Sequence, residues 1–179
     1  MTEFAIIFLL TIINGVLAMS EAAVIAARKP RLQQQADKGS SGARIAMALK
    51  DEPSRFLSTV QVGITLVGTL LGAFGGATIA SDIADSLRQY EAIEPYADAL
   101  GLLIIVVATT YIQLIIGELV PKRLALQRPE AIAARLSGPL RVVSIVTAPV
   151  VKLLSVSTDA VLWLLGTKDS GEAPVTEEE

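Results

Sequence analysis

Residues 97–123, ADALGLLIIVVATTYIQLIIGELVPKR, carry the reading that decides the fold. After Asp98 no charge appears until Glu118, and a proline and two basic residues then close the stretch. An uninterrupted apolar run of about 20 residues is what an α-helix needs to cross the hydrocarbon core of a bilayer. Two earlier runs, Phe4–Ala27 and Phe56–Ala80, have the same character. The third covers Ala97–Val120. Of 179 residues, 52% are hydrophobic and 18% charged, and the mean hydropathy is +0.56. A soluble domain of this size carries more charge and breaks its apolar runs more often. The fold expected is therefore all-α and integral to a membrane, with the lipid bilayer as its surroundings.

Composition also excludes chemistry. A net charge of -3 argues against the extended basic surface that neutralises a nucleic-acid backbone, so the chain is not read as a nucleic-acid binder. With no Cys and no His, disulfides, thiolate chemistry and the usual ligands of zinc, copper and non-haem iron are ruled out. Any metal must be a hard ion held by oxygen. A nucleophile and base drawn only from Ser and Glu make an enzyme the weakest reading.

The first run has a competing explanation as a cleaved signal peptide. Met1-Thr2-Glu3 provides no basic n-region, and the run is longer than a typical h-region, so it is read as a membrane anchor. Between the first two runs lie Arg28, Lys29, Arg31, Lys38, Arg44, Lys50 and Arg55, against Asp37, Asp51 and Glu52. Between the second and third lie Asp82, Asp85, Glu91, Glu94 and Asp98, opposed by Arg88 alone. Basic loops remain on the cytoplasmic side, which places the N-terminus outside and the segment after Val120 inside. Within 30–51, a polar stretch that permits helix, Gly39-Ser40-Ser41-Gly42 reads as a turn.

Val142–Leu165 is apolar and long enough to cross, yet Pro149, Lys152 and Asp159 interrupt it. It reads either as a fourth span or as a helix bent at Pro149 and lying along the cytoplasmic face, the second being preferred. The polar tail 167–179 ends in Thr176-Glu177-Glu178-Glu179, the opening of another helix, so the chain is expected to be a fragment of a longer protein.

Polar residues inside spans are costly and need a reason. At 100° per residue, Ser58, Gln61, Thr65, Gly68, Thr69, Gly72 and Gly76 share one stripe of the second span. Helix packing alone accounts for the glycines, and less well for Gln61 and Thr65. In Gly117-Glu118-Leu119-Val120-Pro121-Lys122, Pro121 cannot donate to the carbonyl four residues earlier. The Gly117 oxygen is thus released beside the Glu118 carboxylate, a pair of hard oxygen ligands at membrane depth. An ordinary ion pair with Lys122 is the plain alternative for Glu118. In the first span Asn14, Ala18 and Glu21 share a face, with Ser20 about a third of a turn away. Ser20 alone reads as a packing hydroxyl, and Glu21 alone as a partner of Arg28. Acids in spans one and three, with oxygens in span two, favour a shared cation site over three unrelated explanations.

Asn14-Gly15-x-x-Ala18-x-Ser20-Glu21, Arg28-x-x-Arg31-Leu32 and Gly39-x-x-Gly42-Ala43, followed by Thr59-x-Gln61-x-Gly63-Ile64-Thr65-Leu66 and Gly117-Glu118-Leu119-x-Pro121-Lys122, resemble the cyclin M/CorC family of magnesium transporters. The resemblance extends to about Gly166. It implies a dimeric domain over 1–166, with three spans and a cytoplasmic belt helix at about 142–165. Residues 167–179 would begin a linker to a cytoplasmic regulatory module of paired CBS domains. It implies magnesium efflux driven by sodium entry, across the cell (inner) membrane. The family's ion site falls on the Ser20 hydroxyl, the Gly117 carbonyl, the Glu118 carboxylate and the Gly63–Thr65 turn. Many relatives place asparagines after that glycine, where this chain has Ile64 and Thr65. Glu21, Asn14 and Gln61 are the expected secondary or coupling-ion set. The competing functional reading is a dimeric membrane anchor that transports nothing and positions a cytosolic sensor.

Overall fold

Proline and glycine set most of the helix ends. The structure, a computed structural model, describes residues 2–74 and 79–166, and no strand occurs among them. Helix α1 (Thr2–Ala26) is the first apolar run. Pro30 lies in the first turn of α2 (Lys29–Asp37), where a missing N–H costs nothing. Gly39, at φ 95°, turns the chain toward α3 (Ser41–Asp51). Ser40 caps α3 by accepting the Ala43 N–H at 3.2 Å. Then follow α4 (Pro53–Phe74), α5 (Ala80–Leu87), a 3-10 turn (Glu94–Tyr96), α6 (Ala97–Leu114), a π-helical turn (Ile115–Leu119), α7 (Val120–Gln127) and α8 (Pro129–Leu164).

The last helix differs from expectation. Instead of a piece confined to 142–165, α8 is one continuous helix of 36 residues from Pro129, with Pro139 and Pro149 inside it. Among the described residues, four helical stretches are by length and composition able to cross a membrane: Ala5–Ala26, Pro53–Phe74, Glu94–Gln127 and Pro129–Leu164. The third runs through the π turn without a break. Gly76 of the small-residue stripe and the Thr176–Glu179 helix opening lie outside the described residues.

Helix α1 is the hub, touching α4, α7, α8 and the π turn, while α3 packs on α8 and α5 on α6. Leu17, Val24, Leu32, Phe56, Val60 and Leu140 belong to the core this creates. Close approach is made by small residues. A β-carbon built on Gly42 would fall on the Ala134 carbonyl of α8, and one on Gly101 would lie 2.6 Å from the Ala80 oxygen. Neither glycine belongs to the stripe singled out in the second span. There Gly68 faces the Gln113 amide, and a β-carbon on Gly72 meets nothing within 4 Å among the described residues.

The basic end is stapled by polar contacts. Lys50 donates to the last-turn carbonyls of α1, Val24 at 3.2 Å and Ile25 at 2.7 Å. Ser137 donates to the Gly42 carbonyl at 2.8 Å, and Lys29 pairs with Asp51 at 2.6 Å. Buried Glu130 accepts the Arg28 backbone N–H at 3.3 Å. On the acidic side, Arg88 pairs with Asp85 and, at 2.6 Å, with Asp98; the Asp98 hydrogen bond foremost raises its pKa above the ordinary value. Between these ends the outward surface is apolar, with Phe8, Leu66, Leu103 and Val107 all exposed. Such a surface is stable against lipid.

Candidate functional site

The site begins with an atom that proline cannot provide. Pro121 has no N–H, so the Gly117 oxygen lacks its partner one turn on. The helix widens locally, and the Val120 N–H reaches back to the Ile115 oxygen, a π-type bond. The released Gly117 carbonyl accepts a hydrogen bond from Asn14 Nδ2 of α1 at 3.0 Å, in a buried setting. Glycines on both helices permit this approach. A β-carbon on Gly15 would sit 3.1 Å from the Ile116 oxygen and from Pro121 Cγ, and one on Gly117 would sit 3.2 Å from Asn14 Nδ2.

Only the amide nitrogen of Asn14 can donate to a carbonyl, so the other end of the amide is an acceptor. Asn14 is 1% exposed, and its Oδ1 has no hydrogen-bond partner among the described residues. A buried acceptor left unpaired costs about 1–3 kcal/mol unless a donor or a cation meets it. Immediately before Glu21, Ser20 is completely buried and donates its proton to the Val16 oxygen at 2.6 Å. Its oxygen lone pairs therefore remain available. No hydrogen bond among the described residues joins Ser20 to the Asn14–Gly117 pair.

The charged part lies at the same crossing. Lys122 donates to Glu118 Oε1 at 2.8 Å, and its ammonium stands 3.5 Å from Glu21 Oε2. Glu21 thus joins Lys122, and the Arg28 pairing considered for it does not form. One ammonium serves two carboxylates, one from α1 and one from the π turn. All three side chains are partly shielded, with exposures of 35% for Lys122, 41% for Glu118 and 21% for Glu21.

The second span contributes differently. Helix α4 runs unbroken through 63–65, so no turn opens there. Gly63 faces α1, where a β-carbon would lie 2.9 Å from Leu17 Cδ1. Thr65 and Gln61 are exposed on the outer face, linked to each other at 3.5 Å. The structure therefore brings Asn14, Gly117, Glu118 and Glu21 to one helix crossing and leaves Thr65 and Gln61 apart from it. Among the described residues no three Asp or Glu side chains converge as a metal cluster. A hard cation at the crossing would rest on neutral oxygens with a carboxylate beside them.

Sequence reasoning reached the released carbonyl, because the proline rule is local. It missed Lys122 as the bridge between both acids, and it missed the Asn14–Gly117 bond. The i+4 spacing of Glu118 and Lys122 signalled half of the first; nothing local signalled the second.

The family model described as the cyclin M transmembrane N-terminal domain matches residues 4–179. The chain is 47% identical over 177 residues to UPF0053 protein sll0260 of Synechocystis, covering 99% of this chain and 40% of that protein. It is 27% identical over 160 residues to UPF0053 protein YugS of Bacillus subtilis, covering 89% of the chain and 37% of the relative. A polyamine export protein of Haemophilus influenzae is 29% identical over 141 residues, with 77% and 32% covered. The chain spans well under half the length of each of these relatives.

Proposed function

The chain belongs to the cyclin M transmembrane N-terminal domain family, and on that premise we propose that it is the membrane-embedded part of a cation transporter whose cargo is Mg2+. With its apolar helices, membership makes it a multi-pass protein of the cell (inner) membrane. The observation that carries the proposal is the surplus of buried acceptors where α1 crosses the π turn. Asn14 Oδ1 is unpartnered among the described residues, the Gly117 carbonyl keeps a second lone pair, and Glu118, next to Gly117 in sequence, supplies charge. Stripping water from Mg2+ is expensive, so such a site needs several fixed oxygens and at least one full negative charge.

Lys122 supports a cycle. With no cargo bound, its ammonium neutralises Glu118 and Glu21 and lowers the cost of keeping two carboxylates between helices. Arrival of a divalent ion displaces the ammonium from Glu118, and Lys122 reclaims the carboxylate on release. Ser20 and Gly117 complete the ligand set, while Thr65 of α4 joins it by a helix shift or across a second copy in a homodimer. Asn14, shared with the Mg2+ site, and Glu21, joined by Gln61 through the same rearrangement of α4, are the groups for a coupling Na+. A CBS-type module in the full-length protein would regulate the exchange. The family's transport-related members carry no enzyme name, and the chain is read as a carrier rather than a catalyst.

Liposomes holding the full-length protein and a trapped Mg2+ indicator test this. Glu118→Gln is expected to lower flux at least tenfold while helical circular dichroism is retained. Unchanged flux would remove Glu118 from the mechanism, and absence of flux from the unaltered protein would leave the membrane-anchor reading.

A second reading has its own support. An ammonium held by two carboxylates is the same chemistry a polyamine presents, and three relatives from Haemophilus, Salmonella and Escherichia bear the name polyamine export protein. Spermidine flux in the same liposomes, unaffected by Mg2+, would select it.

A further inference from the structure

Away from this crossing, a cavity of about 460 Å³ opens where α3, α4 and α8 meet. Each helix sends one arginine to its wall: Arg44, Arg55 and Arg141. Glu52 is the only acid on the wall, and it pairs with Arg55 at 3.3 Å. Three arginines against one glutamate leave an excess of two positive charges. Arg44 and Arg141 have no carboxylate partner among the described ion pairs, so their guanidinium groups are free to bind an anion. The rest of the lining is apolar, with Leu49, Phe56 and Ile145 prominent. Phe56 is buried as part of the core, whereas Ile145 and its neighbours Val142 and Val146 on α8 are exposed.

We propose that this cleft binds the phosphate headgroup of an anionic membrane phospholipid, with its acyl chain lying against the exposed apolar face of α8. The occupant follows from the lining. Guanidinium forks match phosphate oxygens, whereas a soluble anion would gain nothing from Leu49, Phe56 and Ile145. Basic pockets between membrane helices on the cytoplasmic side are suited to acidic headgroups. The volume accommodates a headgroup with its first methylenes. A second basic cleft, beside Arg28 and Arg31, is different because buried Glu130 already occupies it.

Native mass spectrometry of the delipidated full chain, titrated with phosphatidylglycerol or phosphatidylcholine, tests the assignment. Phosphatidylglycerol adducts are expected at concentrations at least fivefold below those for phosphatidylcholine. The triple change Arg44→Gln, Arg55→Gln and Arg141→Gln should abolish that preference. Changing Lys38, Arg123 and Arg135 to Gln, which removes the same three charges elsewhere, should leave it intact. Should the triple variant lose its helical signal, Arg44→Gln and Arg141→Gln separately each weaken the preference two- to threefold. Equal binding of both lipids, or equal loss in the control, overturns the proposal. So does displacement of phosphatidylglycerol by millimolar glycerol phosphate, which would mark a site for soluble anions, or by an acidic peptide, which would mark a protein contact.

Discussion

Asn14 presents two polar ends to the helix crossing, and the fold satisfies one of them. Truncation should therefore have a measurable cost. In Asn14→Ala the Gly117 carbonyl loses its donor while remaining buried, and stability is expected to fall by about 1–3 kcal/mol, read as a lower thermal midpoint in detergent. A midpoint equal to that of the unaltered protein would mean that the bond contributes nothing. At this scale the sequence was legible only where rules are local. Pro121 announced a released carbonyl, and the spacing of Glu118 and Lys122 announced an ion pair. The donor that meets that carbonyl lies 103 residues away, so no spacing rule reaches it. Glu21 was ambiguous for the same reason: Arg28 lies nearby in sequence, but Lys122 arrives from another helix.

Among the elements, the helical character of the apolar runs was legible, because a bilayer asks one length of every helix that crosses it. Helix contacts were harder to read. The stripe on α4 drew notice by its regular spacing, yet the tightest approach is Gly42 against the Ala134 carbonyl. Small residues are necessary for close packing, but their spacing does not say which helix comes near. Two substitutions separate the cases. Gly42→Ala should force α3 from α8, strain the Ser137 bond to the Gly42 carbonyl, and cost about 1–3 kcal/mol or more. Gly72→Ala, with open space around it, should be neutral or stabilising by up to about 1 kcal/mol through helix propensity. Thermal unfolding of both variants checks this, and equal damage would show that the Gly72 face is covered by a second copy. The π turn was only half legible, since a proline inside a span disturbs the ladder without dictating the form the disturbance takes.

For the whole molecule, the disposition of α8 turns on length. Thirty-six residues at 1.5 Å each make a rod of about 54 Å, against a hydrocarbon core of about 30 Å. An upright α8 would leave one end well outside the bilayer, and a flat one fits along its face. The absence of cysteine from these 179 residues makes the answer accessible, because a thiol introduced here is unique within this domain. Ser86→Cys, in the acidic loop, should react with an impermeant maleimide applied to intact cells. Ser41→Cys and Ser157→Cys should react only after permeabilisation. Labelling of Ser157→Cys from outside would make α8 a fourth crossing. Charge asymmetry singles out one orientation for the labelling to test, whereas the mixed character of α8 leaves its path open to two solutions. The bond between Asn14 and Gly117 bears on how such a molecule is made. The first helix emerges from the ribosome long before residue 117 is synthesised, so its amide enters the membrane with no partner. Until the third helix follows, the nascent chain favours retention by the insertion machinery over release into lipid, and completion of the last partner frees it.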